Sequence, residues 1–407
     1  MHDLRETLKK YGQEHLLEGW EQLNAAEQKR FTEELRTLDF EQLAKLYAKR
    51  EDAQSALPPR DRIAPIPVEP AGKTPNATRL LGEDALKNGQ VAVLLVAGGQ
   101  GTRLGFDKPK GMYPVGPISG ATLFQIHAEK VLALSRRYRK PVPFLIMTSP
   151  ATHDDTIAFF KEKNNFGLAV EQVHFFCQGT MPALDAATGK VLLEAPGKLF
   201  LSPNGHGGTL TALADSGLLK RLKSQGIRHI FYFQVDNPLV KIAEPGFLGR
   251  HIERDSEASS KVVFKEQASE KVGILALVDG KCSIVEYSDM PAAMNEELAA
   301  DGTLTFRAGN PAIHLFSVPF LERVTSGDER LAFHIARKKV AHLGEPEPTD
   351  VNALKFELFI FDALPLADRW LAVQTLREEE FAPLKNASGS DSLATLQASI
   401  LAQSKRW

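Results

Sequence analysis

Cysteine is scarce. Cys177 and Cys282 are the only two in 407 residues, too few for a disulfide framework and without the spacing of metal ligands. Both lie in apolar, strand-like runs, which points to buried thiols. Long apolar stretches are missing too, since nothing approaches the roughly 18–20 residues of a membrane helix. The N-terminus, Met1-His2-Asp3-Leu4-Arg5-Glu6, is charged and lacks the apolar centre of a signal peptide. The expected compartment is a reducing cytoplasm. An excess of one charge is also lacking. A net charge of -2 gives the whole molecule no attraction to nucleic acid or anionic membrane, so any phosphate binding has to come from local groups.

What is present is ordinary for a globular protein: 43% hydrophobic and 25% charged residues, which argues against a disordered chain. The first 57 residues read as helices. Leu4, Leu8 and Tyr11 recur at helical spacing, and Asp39 with Gln42 resembles a capping box opening a helix over 40–49. Pro58, Pro59, Pro65, Pro67, Pro70 and Pro75 then crowd into a short span. Repeated proline stops helices and removes ladder donors, so this stretch is expected to be an extended linker.

From residue 90, apolar runs alternate with helical patterns. Strands are predicted at 91–97, 142–147, around Phe175-Phe176, and at 229–235. Helices are predicted at 122–136, 152–163 and 210–222, with Thr152 and Asp155 at capping-box spacing. Continuous apolar strands separated by helices imply a parallel sheet covered on both faces. Shorter strands follow at 261–264, 274–278, 283–287, 303–307 and 314–318, with Asp279-Gly280 a hairpin signal. Late strands at 355–362 and 370–377 and a helix at 393–404 complete the chain. The expected fold class is α/β: a Rossmann-like domain with a mixed, mostly parallel sheet, plus an N-terminal helical segment and a small C-terminal segment. The expected boundaries are 1–57 for the helical appendage and 58–88 for the linker. The main domain takes 89–345, its halves meeting at 240–241, and the C-terminal segment takes 346–407.

The strongest single feature is the string Leu94-Leu95-Val96-Ala97-Gly98-Gly99-Gln100-Gly101-Thr102-Arg103-Leu104-Gly105, followed by Lys108-Pro109-Lys110-Gly111-Met112. A buried strand feeds straight into a glycine-rich loop. Glycines let backbone N–H groups approach an anion closely, and Arg103 and Lys110 supply charge for phosphates. No G-x-G-x-x-G can be read here, and no Gly-Lys-Ser/Thr closes the loop, so it is neither a dinucleotide fingerprint nor a Walker A loop.

This string resembles the activation signature of nucleotidyltransferases that make sugar nucleotides. Its continuation through Tyr113-Pro114-Val115-Gly116 and Thr122-Leu123-Phe124-Gln125 resembles the UDP-N-acetylglucosamine and UDP-sugar pyrophosphorylase family. Further motifs follow in the family's order: Phe175-Phe176-Cys177-Gln178-Gly179, Pro203-Asn204-Gly205-His206-Gly207-Gly208, Val235-Asp236-Asn237-Pro238-Leu239-Val240-Lys241 and Val285-Glu286-Tyr287-Ser288. Ala308-Gly309-Asn310, Lys355-Phe356-Glu357 and Phe381-Ala382-Pro383-Leu384-Lys385-Asn386 complete the set, so the resemblance covers residues 90–390.

The resemblance implies a uridylyltransferase that joins UTP to a sugar 1-phosphate and releases pyrophosphate, with 89–240 the nucleotide half and 241–345 the sugar half. It also implies residue roles. Ala97, Gly98 and Gly99 hold the uridine through backbone groups, and Gln178 and Gly205 contact the uracil edge, with His206 beside them. Lys110 lies on the phosphates, Arg103 neutralises the departing pyrophosphate, and Lys355 and Lys385 reach the sugar phosphate. Glu286, Tyr287, Gly309 and Asn310 face the sugar. Asp236 follows the apolar run 230–235 at the sheet's carboxyl end and is the candidate ligand for Mg²⁺, which uses few carboxylates.

The implied partners are small molecules alone (UTP, sugar 1-phosphate, UDP-sugar and pyrophosphate), with no nucleic acid and no membrane. The chain ends soon after Lys385-Asn386, without the longer C-terminal domain of eukaryotic members, which implies a monomer or weak homo-oligomer. The motifs favour N-acetylglucosamine 1-phosphate. The alternative is a broad-range or glucose/galactose enzyme, favoured by His206, where acetylglucosamine enzymes carry Asn. Cys177, where Gln is common, and Thr180, where Met is expected, also depart from the pattern. A glycosyltransferase is disfavoured because Asp236-Asn237-Pro238 has no second carboxylate, and a dinucleotide-dependent dehydrogenase by the glycine spacing. A non-catalytic UDP-sugar sensor is disfavoured because Arg103, Lys110, Asp236 and Lys385 are all present.

Overall fold

Val91–Val96 has no polar residue, and its side chains alternate between two cores. Val91, Val93 and Leu95 pack with Phe124 and Val131 on one face, and Ala92 and Leu94 with Leu213 and Leu219 on the other. Such a strand has to lie in the middle of a covered sheet. It pairs in parallel with His229–Gln234 on one side and Phe144–Thr148 on the other, and Val173–Cys177 extends the parallel set. Helices Leu123–Tyr138 and His153–Glu162 make the crossovers between these strands. In the computed structural model, residues 2–51, 57–326 and 331–406 are described. The end of the expected N-terminal appendage, at 52–56, lies outside them.

The full sheet has 11 strands among the described residues. From one edge it runs Ile63–Pro65, Ile274–Val278, Ala308–Gly309, Ala258–Phe264, His314–Ser317, His229–Gln234, Val91–Val96, Phe144–Thr148 and Val173–Cys177. Lys281–Val285 pairs with Ile274–Val278, and Trp370–Gln374 pairs in parallel with Ala258–Phe264. The nucleotide half is therefore parallel, and the rest is largely an antiparallel meander. The Asp279-Gly280 turn is a two-residue hairpin loop with φ of 52° and 77°, the left-handed pair that such a turn requires.

Contacts divide the chain into two compact units that cut across the linear boundaries expected from sequence. One holds the sheet and comprises Leu57–Gln178, Thr209–Leu331 and Ile360–Trp407. The other comprises Met1–Ala56, Gly179–Gly208 and Ala332–Phe359. In this second unit the N-terminal helices are no free appendage. Leu4, Leu8, Phe31 and Leu35 share a core with Leu184, Val191, Leu354 and Phe356, and Gln13 Oε1 accepts the Val191 N–H at 2.9 Å.

The proline-rich stretch is not a simple linker either. Ile63–Pro65 pairs at the sheet edge, where a missing N–H costs nothing, and the Glu69 N–H donates to the Ala372 carbonyl at 2.9 Å. Helix Asn76–Lys87 follows within the span expected to be linker, and packs across helix Pro245–Glu253. The crossing is close because both helices carry glycine there. A Cβ on Gly82 would sit 2.1 Å from the Pro245 carbonyl oxygen, and one on Gly249 1.9 Å from that of Thr78.

Other expectations fail locally. The helix over 210–222 is two, Gly208–Asp215 and Leu218–Ser224, interrupted at Gly217 with φ of 72°. Thr152 does not cap its helix through its side chain, and its hydroxyl accepts the Ser149 N–H at 3.0 Å instead. No strand forms over 303–307, and the one expected at 355–362 ends as Ala353–Glu357 before a 3-10 turn. No described helix is long and apolar enough to cross a membrane.

Candidate active site

Parallel strands bring their carboxyl ends to one side of a sheet, and helix crossovers leave a crevice there. Ala97 and Gly98 leave the end of Val91–Val96, Ser149 that of Phe144–Thr148, Gln178 that of Val173–Cys177, and Asp236 that of His229–Gln234. The Ala97 N–H donates to the Met147 carbonyl at 2.8 Å, continuing the ladder to the loop's first residue. At Gly98 the chain passes so close to Gln178 that a Cβ would stand 2.8 Å from its amide oxygen. Ser149 Oγ donates to the Gly98 carbonyl at 2.7 Å and fixes the turn. A Cβ on Gly99 would meet nothing within 4 Å, so this backbone borders open space. The expected nucleotide residues Gly98 and Gln178 are thus brought together. Ser149, which sequence reasoning passed over, holds Gly98, and the Gln178 N–H donates to the Thr148 carbonyl at 2.8 Å.

Across the loop, the Lys110 N–H donates to the Gly99 carbonyl at 3.0 Å. Lys110 Nζ lies 3.7 Å from an Asp236 carboxylate oxygen. Arg103 is exposed in the turn Thr102–Leu104. The Leu384 N–H donates to the Asp236 carbonyl at 2.9 Å, which places exposed Lys385 one residue from this pair along the chain.

The loop carrying Asp236 is held from below by helix Leu123–Tyr138. His127 Nε2 donates to the Val235 carbonyl at 3.0 Å, and Lys130 Nζ donates to the carbonyls of Pro238 and Val240. Burial pushes the Lys130 pKa down to about 8 and that of His127 down to about 3. Neither residue was singled out from sequence, because a His or Lys on a helix carries no signal of its own.

Of the residues expected to face the sugar, Glu286 and Asn310 meet around Gly273. The Asn310 N–H donates to the Gly273 carbonyl at 2.8 Å, and a Cβ on Gly273 would lie 3.0 Å from a Glu286 carboxylate oxygen. Gly309 pairs with Val263, while His314 pairs with Ser260, so the residues between them form a bulge in which Ala312 has φ of 56°. Bulges take side chains out of the ladder, and within this one Asn310 Oδ1 accepts the Ala312 N–H at 2.9 Å. Tyr287 is exposed.

Gly205, His206 and Lys355 belong to the second unit. Gly205 has φ of 83°, and the Gly207 N–H donates to the Leu358 carbonyl at 2.7 Å. The glycine string therefore has a packing task of its own. The His206 ring lies 5.4 Å from that of Phe359, and Lys355 Nζ lies 5.1 Å from the centre of the Phe200 ring, with its pKa lowered mainly by burial.

This geometry can take up a nucleoside through backbone and amide groups and place a cation and a carboxylate against its phosphates. Residues 38–406 match the family model described as UTP–glucose-1-phosphate uridylyltransferase. The chain belongs to this family. A Xenopus tropicalis relative named UDP-N-acetylhexosamine pyrophosphorylase-like protein 1 is 38% identical, over 99% of this chain and 84% of that one. The Saccharomyces cerevisiae UDP-N-acetylglucosamine pyrophosphorylase is 37% identical, over 96% of this chain and 87% of the relative. Among solved structures, the uridine diphosphate N-acetylglucosamine pyrophosphorylase of Trypanosoma brucei superposes with a TM-score of 0.86 at 29% identity, covering 98% of this chain and 84% of that one.

Within this uridylyltransferase fold the metal question turns on the donor set. Among the described residues no group of three or more His, Cys, Asp or Glu side chains could hold a metal ion unaided. A lone carboxylate suits Mg²⁺, which takes one or two carboxylates and completes its shell with substrate phosphates and water. A cavity of about 680 Å³ elsewhere in the sheet unit includes Arg250, Lys241, Lys261 and Glu380 but neither Lys110 nor Asp236. Three of its cations are paired, Arg250 with Glu69, Lys241 with Glu379 and Lys261 with Glu380.

Proposed function

We propose that the protein catalyses uridylyl transfer from UTP to a sugar 1-phosphate, yielding a UDP-sugar and pyrophosphate reversibly, with N-acetylglucosamine 1-phosphate as the preferred acceptor. The observation that carries this reading is the approach of Lys110 to Asp236 at the head of the glycine-rich loop. A phosphate oxygen of the sugar phosphate attacks the α-phosphorus, and the bond from that phosphorus to the bridging oxygen of the β-phosphate breaks. The attacking oxygen is already anionic, so no base or covalent intermediate is needed, and catalysis is positioning plus charge neutralisation.

In this reading Ala97, Gly98, Gly99 and Gln178 orient the uridine. Lys110 stabilises charge on the reacting phosphates, Arg103 the departing pyrophosphate, and Lys385 the incoming sugar phosphate. Asp236 would hold Mg²⁺, which when bound neutralises phosphate charge. Glu286 and Asn310 supply acceptors and a donor for sugar hydroxyls. Gly205, His206 and Lys355 are read as substrate residues by resemblance to the family alone. The acetylated sugar is favoured because the relatives at 37–38% identity carry names with acetylated hexosamines.

The test is pyrophosphate release from UTP and Mg²⁺ with N-acetylglucosamine, N-acetylgalactosamine, glucose and galactose 1-phosphates. Preference for the acetamido sugars is expected. Equal rates with glucose or galactose would overturn the sugar assignment, and no release with any sugar would overturn the reaction.

A further inference from the structure

The segment 381–385 has no regular secondary structure, yet it carries Lys385. Main-chain groups without a ladder need partners elsewhere, and here those partners come from the loop that carries Asp236. Asn237, 3% exposed, donates through Nδ2 to the Glu380 carbonyl at 2.7 Å and accepts the Ala382 N–H through Oδ1 at 3.2 Å. The Leu384 N–H reaches the Asp236 carbonyl. Glu380 is itself buried, at 2% exposure, and its carboxylate is fully employed. One oxygen accepts from Lys261 Nζ and from Thr375 Oγ1 (2.9 Å), and the other accepts the Lys241 N–H at 3.1 Å.

We infer that Asn237 and Glu380 are positioning residues, a buried clamp that fixes Lys385 in register with Asp236. The inference rests on the reading of Asp236 and Lys385 as phosphate-side residues. Stability alone is a poor reason for such a network, because a buried ion pair contributes little more than apolar side chains of the same volume. What directional bonds supply is geometry. Each of the three elements that Glu380 touches is fixed: Lys261 within strand Ala258–Phe264, Thr375 just after Trp370–Gln374, and Lys241 on the Asp236 loop. An error of about 1 Å in placing a charged group can cost roughly 100-fold in rate, so the clamp acts on turnover while touching no substrate.

The test is a double-mutant cycle in the full chain between Asn237→Asp and Lys385→Ala, reading kcat and KM for UTP. Asn237→Asp keeps the acceptor for Ala382 but loses the donor to the Glu380 carbonyl. Because Asn237→Asp also adds a buried charge beside Asp236, Thr375→Val, which removes one hydrogen bond and changes no charge, is carried through the same cycle. The expected result is a kcat lowered roughly 10- to 100-fold with KM for UTP unchanged, and no further loss when the change is added to Lys385→Ala. Full additivity with Lys385→Ala, or wild-type kcat in the clamp variant, would overturn the clamp while leaving the reading of Lys385 intact. Wild-type kcat in Lys385→Ala would overturn that reading first, and the clamp with it.

Discussion

Lys110 Nζ and the Asp236 carboxylate stand 3.7 Å apart, with side chains only 18% and 14% exposed. That separation exceeds a hydrogen bond, so the two charges attract without closing on each other. A pair held in this way can trade its mutual attraction for a phosphate on one side and a dication on the other.

Lys110→Ala should lower kcat by roughly 100- to 1000-fold, the usual loss when one preorganised charge or donor is removed from a transition state. The fold should survive, because the change removes charge and not packing. Steady-state kinetics with a urea titration checks both, and wild-type turnover would remove Lys110 from the chemistry.

Asp236→Asn keeps the shape of the side chain and removes its charge. If Asp236 holds the ion as proposed, the Mg²⁺ concentration needed for half-maximal rate should rise at least about tenfold, because the variant removes the one carboxylate assigned to it. An unchanged metal titration would take Asp236 out of the metal site.

Gly82→Ala and Gly249→Ala each push a methyl group against a carbonyl oxygen of the opposing helix. Backbone cannot yield as a side-chain end can, so each change should cost about 2–3 kcal/mol, the upper part of the overpacking range. The urea midpoint reads this directly, and a wild-type midpoint would contradict the close crossing.

Acid should destabilise the protein at a pH above the carboxylate range. Burial pushes His127 and His251 down to about 3 and His229 down to about 4, from an ordinary 6.5. His127 Nδ1, His251 Nε2 and His229 Nδ1 have no hydrogen-bond partner among the described residues, which fits neutral rings. Between the folded and ordinary values the unfolded chain binds more protons, so stability rises with pH there and is lost as pH falls below 6.5. Unfolding at about pH 5 should take up about one proton for each of these residues, and a flat stability profile between about pH 5 and 7 would contradict their burial.

Much of this was legible in the sequence wherever the cause is local. Val91–Val96 and its neighbours announced a covered sheet by apolar continuity, and Asp279-Gly280 announced its hairpin by turn chemistry. Residues whose roles come from distant partners were not legible. Glu380 sits in the run Glu378-Glu379-Glu380, which reads as solvated until Lys261 and Thr375 are seen to enclose it. Helix Asn76–Lys87 was hidden by the prolines before it and by Gly82, whose reason lies in the helix it crosses. The N-terminal helices looked separate because Leu184 and Phe356, which complete their core, lie far along the chain.

The most direct measurement follows the α-phosphorus of UTP. With UTP labelled there, Mg²⁺ and N-acetylglucosamine 1-phosphate, the label should appear in the UDP-sugar, matched one to one by unlabelled pyrophosphate. Label released as UMP, or retained in UTP while the sugar phosphate is untouched, would contradict uridylyl transfer.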